Sequence, residues 1–230
     1  MKKIDLKEML ECGVHFGHKV SHWNPKMAKF IFGKRGGVHV FDLNKTAKSL
    51  QQACEFLARE TASGKTVLLV STKPQTKIGL EEFAKSSGVP VVTERWIGGM
   101  LTNFPTMLSR IRRLKNLNEM FASGEIEKFT KKEIAGLKKE QDKLQSAFGG
   151  ILKMHKVPDI LFVVDAKRDE TALKEARRLG ITTVGLCDSN ADPDLLDWPI
   201  PGNDDAISAL KFFLNDFIFP AVGKKSKVKG

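Results

Sequence analysis

The apolar positions of this chain fall into short β-branched runs separated by stretches of helical spacing. Val38-His39-Val40-Phe41-Asp42 alternates as a strand should, and Thr66-Val67-Leu68-Leu69-Val70-Ser71 is apolar on both faces, as in a central parallel strand. Val89-Pro90-Val91-Val92, Ile160-Leu161-Phe162-Val163-Val164-Asp165 and Thr182-Thr183-Val184-Gly185-Leu186 supply the third, fourth and fifth strands. Between them the pattern predicts helices from Lys45 to about Thr61, capped by Asn44, from Pro74 to Ser86 and from about Glu170 to Leu179, with a last amphipathic helix from Asp204 to Phe219. Strands alternating with helices dictate a parallel sheet covered on both faces. The simplest such arrangement is an α/β, flavodoxin-like three-layer fold with a five-stranded sheet in the order 2-1-3-4-5.

Strands three and four are separated by roughly 65 residues, far more than an ordinary crossover. Within them Phe104, Met107, Ile111, Leu114, Asn118 and Phe121 recur at intervals of three and four, and so do Ile134, Leu137, Gln141, Leu144, Phe148 and Ile151. Two such stripes joined by Ala122-Ser123-Gly124-Glu125 predict an inserted antiparallel helical hairpin with a coiled-coil seam. The expected organisation is a discontinuous globular domain (1–103 and 155–222), the hairpin (104–154) and a basic tail (223–230). At the junction of globular part and hairpin stands Arg95-Trp96-Ile97-Gly98-Gly99-Met100-Leu101-Thr102-Asn103, whose glycines permit close backbone approach beside a charge and a flat ring.

Charge changes the picture more than composition does. The apolar fraction of 41% is ordinary, but a formal net charge of +11 points to a polyanionic partner: RNA, DNA or an acidic membrane surface. No run is long and apolar enough to span a bilayer, and the start of the chain carries acids and lacks the apolar core of a signal peptide, so a cytoplasmic location is expected. Cys12, Cys54 and Cys187 are few and widely spaced, which suits reduced thiols. The hairpin's outer face carries Arg110, Arg112, Arg113, Lys115, Lys131, Lys132, Lys138, Lys139 and Lys143.

Several constellations compete for chemistry. Cys12, His15, His18 and His22 are spaced like metal ligands, but four ligands so close in sequence need a tight loop, and Phe16 and Trp23 look more like core anchors. Gly64-Lys65-Thr66 fails as a phosphate loop because it precedes a strand and has Arg59 where a glycine is needed. Asp42, Ser71, Asp165 and Asp188 at strand ends keep an Mg²⁺-dependent phosphohydrolase as the alternative function, although no nucleophile is paired with a base in one motif. From Cys187 to Asp205 the chain gathers six aspartates and no basic residue, open to three readings: a helix cap at Asn203, a divalent-cation site, or a face for a basic protein.

Gly13-Val14-His15-Phe16-Gly17-His18, Trp23-Asn24-Pro25-Lys26-Met27, Phe41-Asp42-Leu43-Asn44-Lys45-Thr46, the Arg95–Phe104 stretch, Pro158-Asp159, Asp192-Pro193-Asp194 and Ile200-Pro201-Gly202-Asn203-Asp204-Asp205-Ala206 together resemble the bacterial-type ribosomal protein S2 family, in order, from about residue 8 to residue 220. Departures are confined to Cys12, Ile97 and Met100, where alanine, leucine and threonine are common. The resemblance implies a non-catalytic component of the small ribosomal subunit that binds small-subunit (16S-type) rRNA, contacts other small-subunit proteins and helps recruit the messenger-binding first protein of the subunit. It implies no membrane and no small-molecule substrate. It also implies a candidate Zn²⁺ or Mg²⁺ site, at positions matching His18, Asp188, Asp204 and Asp205. The expected phosphate contacts are Lys26, Lys29, Lys34, Arg35, Arg95, Arg110, Arg112 and Arg113, with Trp96 or Trp23 available for stacking.

Overall fold

A computed structural model describes residues 2–223; the tail expected at 223–230 lies, from residue 224, outside them. In chain order the elements are α1 (Leu6–Glu11), β1 (Phe16–Lys19), β2 (Ile31–Arg35), β3 (Val38–Phe41), α2 (Leu43–Ala62), β4 (Val67–Val70), α3 (Pro74–Ser87), β5 (Val91–Val92), α4 (Phe104–Ser123), α5 (Lys131–Phe148), β6 (Ile160–Val163), α6 (Glu170–Arg178), β7 (Thr182–Cys187), β8 (Trp198–Pro201) and α7 (Ile207–Lys211). The last helix runs on through a π-helical stretch (Phe212–Ile218) into α8 (Phe219–Val222). No helix of the described residues is long and apolar enough to cross a membrane.

Five strands form a parallel sheet in the spatial order β5-β4-β6-β7-β8. Its alternating side chains feed two separate cores. Leu68, Val70, Leu161 and Val163 face one, shared with α6 and the hairpin helices through Leu173, Ile111, Leu114 and Phe148. Val67, Leu69, Ile160 and Phe162 face the other, shared with α2, α3 and the C-terminal helices through Leu50, Leu57, Leu80 and Phe213. The sheet is thus the middle of three layers.

The strand membership differs from expectation. Val38–Phe41 does not join the parallel sheet; it is the centre of a separate three-stranded antiparallel sheet, β1-β3-β2. The reason is local. Gly36 and Gly37 both take positive φ (59° and 78°), which closes a two-residue hairpin and pairs β3 with β2 before it can reach any distant strand. The fifth place in the parallel sheet is taken instead by Trp198–Pro201, whose Pro199 and Pro201 disguise it as a loop and suit an edge strand. Helix α2 begins two residues earlier than expected, at Leu43, capped by Asp42, whose side chain accepts from the Asn44 N–H. The last helix begins at Ile207 and not at Asp204, because Asn203 spends its Oδ1 on the Asp205 and Ala206 N–H groups in a turn.

Helices α4 and α5 pack against each other, joined by a short turn at Glu125–Lys128 and started afresh by a capping box between Thr130 and Glu133. Pro105 opens α4 at a position where a missing N–H costs nothing. Leu117 is fully buried where the expected stripe had Asn118; the Asn118 side chain instead accepts from Gln141 across the hairpin at 2.7 Å.

Candidate nucleic-acid interface

The junction from Arg95 to Asn103 is organised by a residue that its own sequence does not announce. Glu175, on α6 and buried, receives five donors: Trp96 Nε1 (3.0 Å) and the Gly99 N–H (2.8 Å) on Oε1, and the Leu101 N–H (2.9 Å), Thr102 N–H (3.1 Å) and Thr102 Oγ1 (3.1 Å) on Oε2. Burial by itself would raise this carboxyl; the Trp96 indole and the backbone donors outweigh it and hold it below the usual range. Gly99 has φ of +86°, a conformation the tight wrap requires, whereas a Cβ on Gly98 would meet nothing within 4 Å. Trp96 is therefore a core residue anchored by its N–H, with its ring inside the protein, and not a free stacking face.

The other expected contacts divide by what already holds them. Lys26 is tied to Asp192 (2.8 Å) and Asp194 (2.9 Å), and Arg113 forks onto Glu140 (3.0 and 2.8 Å) across the hairpin. Lys29, Lys34, Arg35, Arg95, Arg110 and Arg112 are exposed and form no ion pair among the described residues. Lys34 and Arg35 end β2, Arg95 precedes the Glu175-bound loop, and Arg110 and Arg112 lie on α4. Trp23 is 36% exposed and packs against His39 in a tilted arrangement, with ring centroids 4.8 Å apart. Phe16, expected as a core anchor like Trp23, is 46% exposed.

A second cluster lies at the C-terminal ends of the parallel strands. Lys73, buried just after β4, places its Nζ 2.6 Å from Asp204, 2.8 Å from Asp205 and 2.9 Å from Asp165. Burial alone would lower this ammonium's pKa, but Asp204, Asp205 and Asp165 outweigh it and raise it, so Lys73 stays charged. Burial pushes the Asp204 carboxyl up, as do Asp165 and Asp188. His18, on β1, bridges Asp188 (Nδ1 to Oδ2, 3.1 Å) and Asp205 (Nε2 to Oδ2, 3.5 Å), and the hydrogen bond to Asp188 raises it to about 9. Of the six aspartates that looked unmatched in the sequence, Asp188, Asp204 and Asp205 are met by Lys73 and His18, Asp192 and Asp194 by Lys26, and Asp197 accepts from Thr183.

Among the described residues His18, Asp188 and Asp205 have ligand atoms within 4.8 Å of one another, close enough to share a cation. One imidazole and two carboxylates suit Zn²⁺ better than the all-oxygen shell of Mg²⁺. Asp204 stands outside that group, held by Lys73. Cys12, His15 and His22 do not enter it, so the closely spaced Cys-His cluster of the sequence is not a ligand set. The four strand-end residues raised for a phosphohydrolase are each occupied locally: Asp42 caps α2, Ser71 bonds Thr76 (2.7 Å), Asp188 meets His18 (3.1 Å), and Asp165 accepts from the Lys167 (2.9 Å) and Arg168 (2.7 Å) N–H groups as well as from Lys73. Lys73 and Glu175 were not singled out by sequence reasoning. Lys73 follows an apolar strand directly and precedes a helix-opening proline, which is a readable signal; Glu175 carries none.

Fold and charge together define a basic α/β scaffold that neutralises its acids internally and leaves cations on its surface. The model of the family described as "Ribosomal protein S2" matches residues 9–222. The chain is 47% identical over 213 residues to the small ribosomal subunit protein uS2 of Sulfurimonas denitrificans, covering 93% of this chain and 82% of that one. It is 46% identical to the protein of the same name from Nitratiruptor sp. (93% and 80%), and 48% identical over 211 residues to that from Geotalea uraniireducens (92% and 82%). The chain belongs to the ribosomal protein S2 family, whose members are structural, non-enzymatic components of the cytoplasmic ribosome.

Proposed function

We propose that this chain takes a structural place in the small ribosomal subunit by binding small-subunit rRNA through its unpaired surface cations, and that it helps recruit the messenger-binding first protein of the subunit. The observation that carries the RNA reading is that Lys29, Lys34, Arg35, Arg95, Arg110 and Arg112 are exposed and have no carboxylate partner among the described residues, in a chain of net charge +11. Such cations gain most by neutralising phosphates and releasing counterions, a sequence-independent term that dominates affinity for nucleic acid. Residues 104–154 act in this proposal as a coiled-coil arm set against RNA, while residues 1–103 and 155–222 form the flavodoxin-like body that positions it. The body's acidic segment, where Asp194 and Asp197 lie near the surface, faces protein neighbours in the subunit.

The cation site belongs to the same proposal. His18, Asp188 and Asp205 would hold Zn²⁺ at that face, with Asp204 acting one step removed by fixing Lys73. The metal supplies charge that ties the three side chains together. His18 must give up its proton to bind it, so affinity rises with pH toward the imidazole's raised value of about 9.

A sucrose-gradient experiment tests the assignment. The chain is expected to co-sediment with small subunits at moderate salt; free chain at the top of the gradient under those conditions would contradict it.

A further inference from the structure

At the end of the parallel sheet opposite the acidic pocket lies a cleft of 1040 Å³, as large as the largest ordinary ligand sites, which run to about 1,000 Å³. One wall is α3, a second is the edge strand β5, and the third is the end of α5 with the segment leading on to β6. The third wall depends on Gly150. A Cβ built there would run into the Val91 carbonyl oxygen, so only glycine lets the chain leave α5 this close to the edge of the sheet. The same approach closes the edge of β5 at Val91 to a further strand, which denies an extended peptide the backbone ladder it would need.

The lining offers three kinds of surface. Ala84, Val91, Leu152 and Met154 make an apolar floor, with Val91 and Met154 buried. Thr93, Gln145 and Ser146 bring hydroxyl and amide groups beside it. Lys85, Lys153 and Lys156 stand exposed around it. The acids of the lining are already engaged, since Glu81 accepts from Thr93 Oγ1 at 3.1 Å and Glu94 is paired with Lys77. Its cations are not. Lys85 and Lys153 form no ion pair among the described residues, and Lys156 meets only Asp159, at 3.4 Å.

Each kind of surface narrows the ligand. An inorganic anion would leave the apolar floor uncovered, and a lipid chain would cover the hydroxyl and amide groups without giving them partners. A nucleotide answers all three, because its base has apolar faces and a polar edge and its phosphate needs cations.

We propose that this cleft binds a nucleoside phosphate, either free or as a single turned-out nucleotide of an RNA chain. The base lies on the floor of Val91 and Met154, and Lys85 and Lys153 answer the phosphate. The site goes beyond the reading of the chain as an RNA-binding subunit protein, which needs only outward-facing cations and stands or falls separately.

The test follows the backbone amide signals of the isotope-labelled full chain during titration with AMP, GMP, CMP and UMP, and separately with an RNA duplex carrying one bulged nucleotide and the same duplex without the bulge. Saturable shifts are expected at Val91, Thr93 and Gly150. Lys85→Gln/Lys153→Gln should weaken that binding about 10-fold, a change of one decade in Kd. Ser146→Trp, which fills the cleft from an exposed helical position, should remove the shifts, and both variants should melt with the wild type. Lys48→Gln/Lys211→Gln takes the same charge from exposed positions elsewhere and should change nothing at these amides. Saturation by a mononucleotide with no preference between the duplexes assigns the cleft to a free nucleotide, and a preference for the bulged duplex assigns it to an RNA nucleotide. Absence of saturable shifts at these amides with every probe would overturn the proposal. So would shifts that survive either cleft variant unchanged, or an equal loss in the Lys48 and Lys211 control.

Discussion

The pocket at the parallel strand ends and the surface formed by the antiparallel sheet and hairpin carry opposite charges and treat them in opposite ways. In the pocket Asp165, Asp188, Asp204 and Asp205 meet Lys73 and His18 at 2.6 to 3.5 Å. On the surface Lys29, Lys34, Arg35, Arg110 and Arg112 meet no carboxylate among the described residues. Charge answered inside the chain is a matter of folding, because a buried ion without its partner is costly. Charge left unanswered at the surface contributes almost nothing to folding and waits for a partner outside. The two regions should therefore respond to mutation through different observables.

The largest effect is expected where that separation is sharpest. Lys73→Met leaves Asp204 and Asp165 buried without their ammonium and should destabilise the fold by about 3–5 kcal/mol, read by urea denaturation. Little change would show that the pocket is solvated and the contrast false. Next comes Glu175→Gln, which keeps the shape but turns an NH₂ toward backbone donors; a loss of about 2–3 kcal/mol is expected by thermal melting. Gly98→Val probes the same loop from outside. With no neighbour within 4 Å it should leave stability within about 0.5 kcal/mol and, where Gly98 touches RNA, reduce incorporation into subunits.

A smaller effect comes from pH. In the metal-free chain His18 is raised from 6.5 to about 9, so the stability it contributes is complete below about pH 6.5 and is lost as pH rises through about 9. The expected loss is on the order of 2 kcal/mol for this partly screened pair, and His18→Ala should flatten that limb of the stability profile. An unchanged profile would show that His18 titrates free of Asp188. The smallest stability effect belongs to the surface: Arg110→Gln/Arg112→Gln should stay within about 0.5 kcal/mol of wild type in urea. The same variant should lower the slope of log affinity for RNA against log salt by roughly 0.7–0.9 per contact removed.

How much of this could be read from the sequence follows the same division. Segments whose own residues determine them were legible: TVLLV as a strand buried on both faces, the helical spacing of α4 and α5, Pro74 and Pro105 as helix starts. Pairing at a distance was less so. Val38–Phe41 has a strand's pattern in either sheet, and only the positive φ of Gly36 and Gly37 decides for the local one. Trp198–Pro201 hides behind its prolines, and β1 behind Gly17. At the site, the acidic cluster and the exposed cations were visible because their residue types are conspicuous. Their partners were not, since Lys73 is 131 residues from Asp204, and Glu175 is 79 from Trp96. Aromatic exposure was misjudged at Phe16 and Trp23 because a ring in sequence gives no sign of which face of a small sheet it will occupy.

The central claim is that unanswered surface cations bind the RNA, and a salt titration of rRNA affinity with the variant Lys34→Gln/Arg35→Gln/Arg110→Gln/Arg112→Gln tests it most directly. Wild-type affinity is expected to fall steeply and linearly with log salt, and the variant to show a much shallower slope at unchanged urea stability. A wild-type affinity indifferent to salt, or a variant with the wild-type slope, would contradict it.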